Sequence, residues 1–195
     1  MASSDNINHI DAELMEDEAA LNYNGIFMLF GQINTISIAP ACRWIIKNSL
    51  KKNPTKDMRL FITSEGGDIP EAFALIDIMR GSKFTMSTVG LGEVCSAGLM
   101  IFMAGDKGSR ILTPNSFVMS HQYSLNSGGK EHELLASRKA TDIMSRMIIN
   151  HYMKCTGMTE KKVRDILLPP EDVFLTPKEA VKYGICDKVK ELEYT

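Results

Sequence analysis

Met58-Arg59-Leu60-Phe61-Ile62-Thr63, running into Ser64-Glu65-Gly66-Gly67-Asp68, is the stretch that decides the fold. The first six residues are too short a run for a helix and rich in apolar types, so they predict a strand. The glycine pair predicts a sharp turn. Asp68 with Glu71 three residues later predicts a capping box, and Pro70 is tolerated in a first helical turn, so a helix should follow. The same strand-then-helix order recurs on both sides. Upstream, Ile26–Phe30 is a continuous apolar run of the kind expected in a buried parallel strand. Thr35–Leu50 then has helical spacing, with Ile38, Cys42, Ile45 and Ile46 on one side, until Asn53-Pro54 breaks it. Downstream, Phe84–Val89 reads as a third strand, and Ser96–Ala104 is apolar all round and reads as a buried helix. Short strands are expected at Ser109–Leu112 and Phe117–Ser120, around the Pro114-Asn115 turn. A long helix is expected from about Glu131 to Cys155, shorter ones from Thr159 and Pro177, and a closing strand near Cys186–Val189. Alternation of this kind predicts an α/β fold with a largely parallel sheet.

The bulk properties narrow the function. The chain has 195 residues, enough for one domain with a sizeable core. Residues 25–195 are expected to form that domain. Residues 1–24 hold six carboxylates (Asp5, Asp11, Glu13, Glu16, Asp17, Glu18) and no Lys or Arg, and are expected to be a solvated acidic arm. A net charge of -2 supplies no basic field for nucleic acid. No apolar run is long enough to span a bilayer, and no secretory signal pattern is present at the N-terminus. Cys42, Cys95, Cys155 and Cys186 are widely spaced, without a C-x-x-C pair, which predicts reduced thiols in a cytoplasm-like compartment. Nothing suggests a metal or an organic cofactor. The G-x-x-x-x-G-K-[ST] spacing of a phosphate-binding loop occurs nowhere, so ATP hydrolysis is not expected.

Three segments carry candidate chemistry. Gly90-Leu91-Gly92-Glu93-Val94-Cys95-Ser96-Ala97-Gly98 joins a strand to a buried helix. It puts Ser96 where unpaired helix N–H groups favour an anion, though a serine there can also be a plain cap. Gly66-Gly67 can expose backbone N–H groups, as an oxyanion hole requires, or simply turn the chain or cradle a phosphate. His121 follows the Phe117–Ser120 strand, a rigid mount for a general base but also an ordinary place for a structural histidine. His9, His132 and His151 lie in the acidic arm and on the long helix and are weaker candidates.

Together these segments resemble the ClpP peptidase family. The matching pieces are Glu65-Gly66-Gly67, Gly92–Gly98, Pro114-Asn115-Ser116 with His121-Gln122, Asp172-Val173-Phe174-Leu175-Thr176, and Glu179-Ala180 with Tyr183-Gly184-Ile185-Cys186-Asp187. They occur in the family's order, from roughly Gly25 to Val189. The resemblance implies a ClpP/crotonase-like spiral of strand–strand–helix units with a protruding handle helix. It implies a serine endopeptidase with Ser96 as nucleophile, His121 as base and Asp172 as the carboxylate that orients it. The backbone N–H groups of Gly67 and Ala97 would hold the oxyanion. Polypeptide substrates are implied, with self-association into heptameric rings stacked in pairs and a separate AAA+ ATPase as partner. No nucleic acid, membrane or cofactor is implied.

Cys95 is a rival nucleophile, and Asp165 and Asp187 rival Asp172. The sequence also departs from the family. Glu65 stands where the family has proline, and Tyr123–Gly129 is two residues longer than the family's segment. Pro169-Pro170-Glu171-Asp172 lacks the usual arginine before the aspartate. Two other functions remain open here: a catalytically inactive ClpP-like ring subunit, and a crotonase-fold enzyme acting on an acyl-CoA thioester.

Overall fold

The structure, a computed structural model, describes residues 15–55, 57–125 and 128–192. Its order is α1 (15–23), β1 (Ile26–Phe30), α2 (Thr35–Ser49), β2 (Asp57–Ser64), α3 (Ile69–Gly81), β3 (Thr85–Cys95), α4 (Ser96–Met103) and β4 (Arg110–Leu112). There follow β5 (Phe117–Ser120), α5 (Glu131–Thr156), α6 (Glu160–Lys162), a π-helical turn (Val163–Leu167), β6 (Val173–Leu175), α7 (Pro177–Lys182) and β7 (Lys188–Val189).

The sheet has the order β1-β2-β3-β4-β7, every neighbour parallel, with β5 leaving the far end of β3 and β6 pairing antiparallel with β5. Parallel neighbours need a crossover, and each of the first three crossovers is a helix lying on the sheet. This is the α/β architecture of the ClpP type. Its centre is α4, where every residue from Ala97 to Met103 is buried. A helix without a polar face can only sit inside. Around it pack Leu60 and Ile62 of β2, Leu75 and Ile76 of α3, Leu112 of β4 and Val118 of β5. Gly98 lets α4 settle onto β2, since a Cβ there would lie 2.7 Å from Ser64 Cβ.

α5 is divided along its length. Its buried residues, Ile148, Ile149, His151 and Tyr152, all belong to the C-terminal half, whereas Leu134, Leu135 and Ile143 are exposed. The N-terminal half therefore projects as a handle.

Residues 15–23 of the expected acidic arm form an α-helix, largely exposed, with Trp44 Nε1 donating to the Asn22 carbonyl at 3.1 Å. The arm's residues 1–14 lie outside the described residues. Three local expectations are corrected. The buried stripe of α2 is Ile38, Ala41, Trp44, Ile45 and Asn48, while Ile46 is exposed and Cys42 half-buried. Buried Asn48 turns that stripe inward because its amide bonds both the carbonyl and the N–H of Thr55. Asp68 does occupy the N-cap of α3 but makes no side-chain cap bond. Glu71, its expected capping-box partner, instead accepts from Thr35 Oγ1 at 2.8 Å, drawn to the start of α2. Finally, the third strand runs on through Gly90 and Gly92 to Cys95, six residues past its expected end.

Candidate active site

The extension of β3 is what places Ser96. The pairing of β2 with β3 shifts between Ile62 and Ser64, so that Ser64 sits opposite Val94. Gly92, at φ 55°, takes up the irregularity. β3 therefore reaches Cys95 still paired, now with Met119 of β5, and the next residue opens α4. Ser96 has φ 52°, and no other non-glycine among the described residues has positive φ. That conformation costs about 1–3 kcal/mol and persists only where the surroundings enforce it. Ser96 does not serve as the cap, which is Cys95. The sharp strand-to-helix turn presents the hydroxyl outward.

His121 receives it. Ser96 Oγ lies 2.8 Å from His121 Nε2 and donates to that nitrogen when the ring proton is on Nδ1. The ring is mounted directly after β5, and its neighbours are tied down. Ser120 is fully buried and donates to the Leu167 carbonyl at 2.6 Å, with Tyr152 Oη 2.9 Å from the same hydroxyl. Gln122 donates to the Leu168 carbonyl at 3.0 Å. The sequence reading missed Ser120 and Gln122 as positioning residues. A polar residue inside an apolar strand run was the signal that could have marked Ser120.

Asp172 comes to the histidine through register. β5 and β6 pair Val118 with Leu175, Met119 with Phe174 and Ser120 with Val173. One more step along the ladder sets His121 opposite Asp172. Asp172 Oδ1 lies 3.7 Å from His121 Nδ1, an ion-pair separation longer than a hydrogen bond. The carboxylate is 56% exposed and the imidazole 24%.

The glycine turn lies against the serine. A Cβ on Gly66 would fall 2.6 Å from Ser96 Cβ and 3.2 Å from the Ala97 nitrogen. Gly67 forms a parallel bridge with Ile33, in which Ile33 N–H donates to the Gly66 carbonyl and Asp68 N–H to the Ile33 carbonyl, both at 2.8 Å. In such a bridge the central residue's own N–H faces away from the partner strand. Gly67 is exposed there, at φ 145°. Ala97 supplies a first-turn N–H, which has no intrahelical acceptor.

The rivals sit elsewhere or are chemically muted. Cys95 is buried, and burial first, then the carboxylates of Glu93 and Glu65, pushes its thiol up to about 11, away from thiolate. Asp165 is exposed on the π-helical turn and paired with Lys161. Asp187 is bound by Arg110, by the N–H of Gly108 at 2.8 Å and by that of Arg110 at 3.0 Å. Burial acts to raise its carboxyl, but the Arg110 bonds outweigh it and hold the group below its ordinary value. His151 is buried, donates from Nε2 to the Met100 carbonyl at 2.8 Å and accepts from Arg80 at Nδ1. His132 is exposed on the handle, and His9 lies outside the described residues. All four cysteines are free thiols. Among the described residues, no helix is long and apolar enough to cross a membrane.

The arrangement can deliver a serine alkoxide to an electrophilic carbon beside two backbone N–H donors. Comparison with known proteins agrees with that chemistry. The family model described as Clp protease matches residues 13–193. A curated relative, the ATP-dependent Clp protease proteolytic subunit of Deinococcus radiodurans, is 34% identical over 139 residues, covering 71% of this chain and 67% of the relative. With the α/β architecture, the handle and the Ser96–His121 pair already in place, these matches establish that the chain belongs to the Clp protease family.

Proposed function

We propose that this chain is a serine endopeptidase that cuts unfolded polypeptides and short peptides through Ser96, His121 and Asp172. The observation that supports this most directly is the 2.8 Å contact between Ser96 Oγ and His121 Nε2, made by a serine in a strained backbone conformation. In the proposed mechanism His121 Nε2 takes the Ser96 proton as Oγ attacks the peptide carbonyl carbon. The N–H groups of Gly67 and Ala97 stabilise the resulting oxyanion. His121 then returns the proton to the leaving amine, and a second cycle with water frees the acyl group from Ser96. Asp172 keeps the proton of the resting ring on Nδ1 and stabilises the imidazolium as it forms.

In the same reading, copies of the chain assemble into heptameric rings stacked in pairs, with Ser96 facing an enclosed chamber. The exposed apolar residues of the handle, Leu134, Leu135 and Ile143, suit such contacts. Folded substrates are delivered by a separate AAA+ ATPase, in keeping with the ATP-dependent name of the Deinococcus relative. Residues 25–195 act as one peptidase domain, with residues 1–24 as an acidic segment at its entrance, in a cytoplasmic setting.

The test combines a fluorophosphonate label with a fluorogenic peptide. The label should attach to Ser96, and Ser96→Ala should lower kcat by several orders of magnitude, toward the roughly 10⁶-fold loss seen when a triad serine is removed. Label on Cys95, or full turnover by Ser96→Ala, overturns the assignment. Native mass spectrometry of the same sample reads the ring: a strictly monomeric, fully active species refutes the chamber.

A further inference from the structure

We infer that two carboxylates close to Ser96, Glu65 and Glu93, make this site select substrates with a basic residue beside the scissile bond. The inference rests on the peptidase reading above and adds the substrate class.

Glu65 is the residue before Gly66, whose Cα lies so close to Ser96 that a Cβ there would be in contact at 2.6 Å. The turn holding it is fixed at several points. Gly66 N–H donates to Ser64 Oγ at 3.1 Å, and the Gly66 carbonyl accepts from Ile33. Glu65 itself is exposed, so its charge stands at the border of the serine and free of any ion pair within the chain's described residues. It also occupies the place where the family pattern has proline, a change that puts a charge where a neutral ring would be.

Glu93 lies near the end of β3, close to the start of α4. Alternate residues of a strand share a face, so Glu93 and Cys95 project together, three residues and one residue before Ser96. Glu93 is in register with Phe117. Phe117, Met119 and His121 are likewise alternate residues on that face, and Phe174 stands opposite Met119. The Phe117 and Phe174 rings are 6.4 Å apart between centroids and are 41% and 64% exposed. A carboxylate beside two accessible aromatic rings, on the same face as the base, matches a side chain with an apolar stem and a cationic end. Asp172, also on this face and 56% exposed, adds to the same field. Neither Glu65 nor Glu93 bonds the triad, so their charges are not consumed in holding it.

The test uses three fluorogenic peptides that differ only at the residue flanking the cut: lysine, its neutral near-isostere norleucine, and glutamate. The wild-type chain should have the highest kcat/KM for the lysine peptide and the lowest for the glutamate peptide, with the spread shrinking as salt is raised. In Glu65→Gln and in Glu93→Gln the lysine-to-norleucine ratio should fall roughly two- to fourfold each. A ratio is read within one variant, so a general loss of activity does not imitate the effect, and the salt series needs no variant at all. Wild-type cleavage of the three peptides at equal, salt-independent rates overturns the inference while leaving the peptidase reading intact. A ratio that falls in only one variant overturns the role of the other residue. If Ser96→Ala cuts all three as wild type does, the peptidase reading fails and this inference with it.

Discussion

Gly66→Ala tests whether the glycine turn and Ser96 form one rigid unit. The new Cβ would lie 2.6 Å from Ser96 Cβ and 3.2 Å from both the Ala97 nitrogen and the Cys95 carbonyl oxygen. Two of these atoms are backbone and the third is the Cβ of Ser96, so no flexible side chain can swing clear. The contact with Ser96 is short of ordinary van der Waals separation by about 0.8 Å. At φ 110° the backbone is also outside the range of L side chains, so conformational strain of about 1–3 kcal/mol adds to an overpacking cost of about 1–3 kcal/mol. Displacing a reacting group by about 1 Å costs on the order of 10² in rate. The control is Gly31→Ala, which has φ 84° but nothing within 4 Å of its added Cβ, and so suffers strain alone. It should lose about 1–2 kcal/mol, a fall in Tm of roughly 2–8 °C, with kcat unchanged. Gly66→Ala should lose on the order of 10² in kcat at a temperature where both variants are folded. Peptide turnover and thermal melts on the two variants, side by side, decide it. If Gly66→Ala keeps wild-type kcat, or if the two variants lose activity equally, the turn does not hold Ser96 in place.

Three further outcomes are expected. Asp172→Asn should cut kcat well beyond Asp165→Asn, toward the roughly 10⁴-fold loss of a triad whose aspartate is amidated, and the reverse ranking would place the carboxylate wrongly. His151 is driven down to about 4, chiefly by burial and then by Arg80, so the folded state resists a proton that the unfolded chain accepts near pH 6.5. Its share of stability is therefore complete above about pH 6.5 and falls by about 3 kcal/mol as the pH drops toward 4; melts across that window should show a steeper loss in wild type than in His151→Gln. Asp187→Asn leaves the 3%-exposed Arg110 without its counter-charge and should destabilise by about 3–5 kcal/mol in denaturant titration, while Asp165→Asn on the exposed Lys161 pair should cost under about 1 kcal/mol.

Most of the fold could be read from the sequence because its strands and its central helix are bounded apolar runs. Ile26–Phe30 and Phe117–Ser120 have the expected limits, and α4 declares its burial by lacking any polar face. What escaped was long-range. The last six residues of β3, 90–95, include Gly90 and Gly92, which locally signal a turn. It is a strand because β2 and then β5 pair with it, and because Gly90 fits under Leu112 and Phe102, where a side chain would collide. β6 is three residues long, below what periodicity can detect, and exists through its partner alone. The capping box at Asp68 failed for a similar reason, since Glu71 found a better partner in Thr35, on another helix. At the site, the resemblance to the family pointed to Ser96, His121 and Asp172, but no local pattern encodes the positive φ of Ser96 or the register that sets Asp172 opposite His121.

The β5–β6 register has a consequence for the timing of synthesis. Between His121 and Asp172 the chain must lay down all of α5, α6 and the π-helical turn before Val173 can pair with Ser120. A ribosome-bound fragment can therefore pair β1 through β4, seat α4 and bring Ser96 to His121 while Asp172, and β7 beyond it, have yet to be translated. Closing that loop, by pairing β6 with β5, is what brings the Asp172 carboxylate to His121. The last of the three side chains to join the site is therefore the one made last.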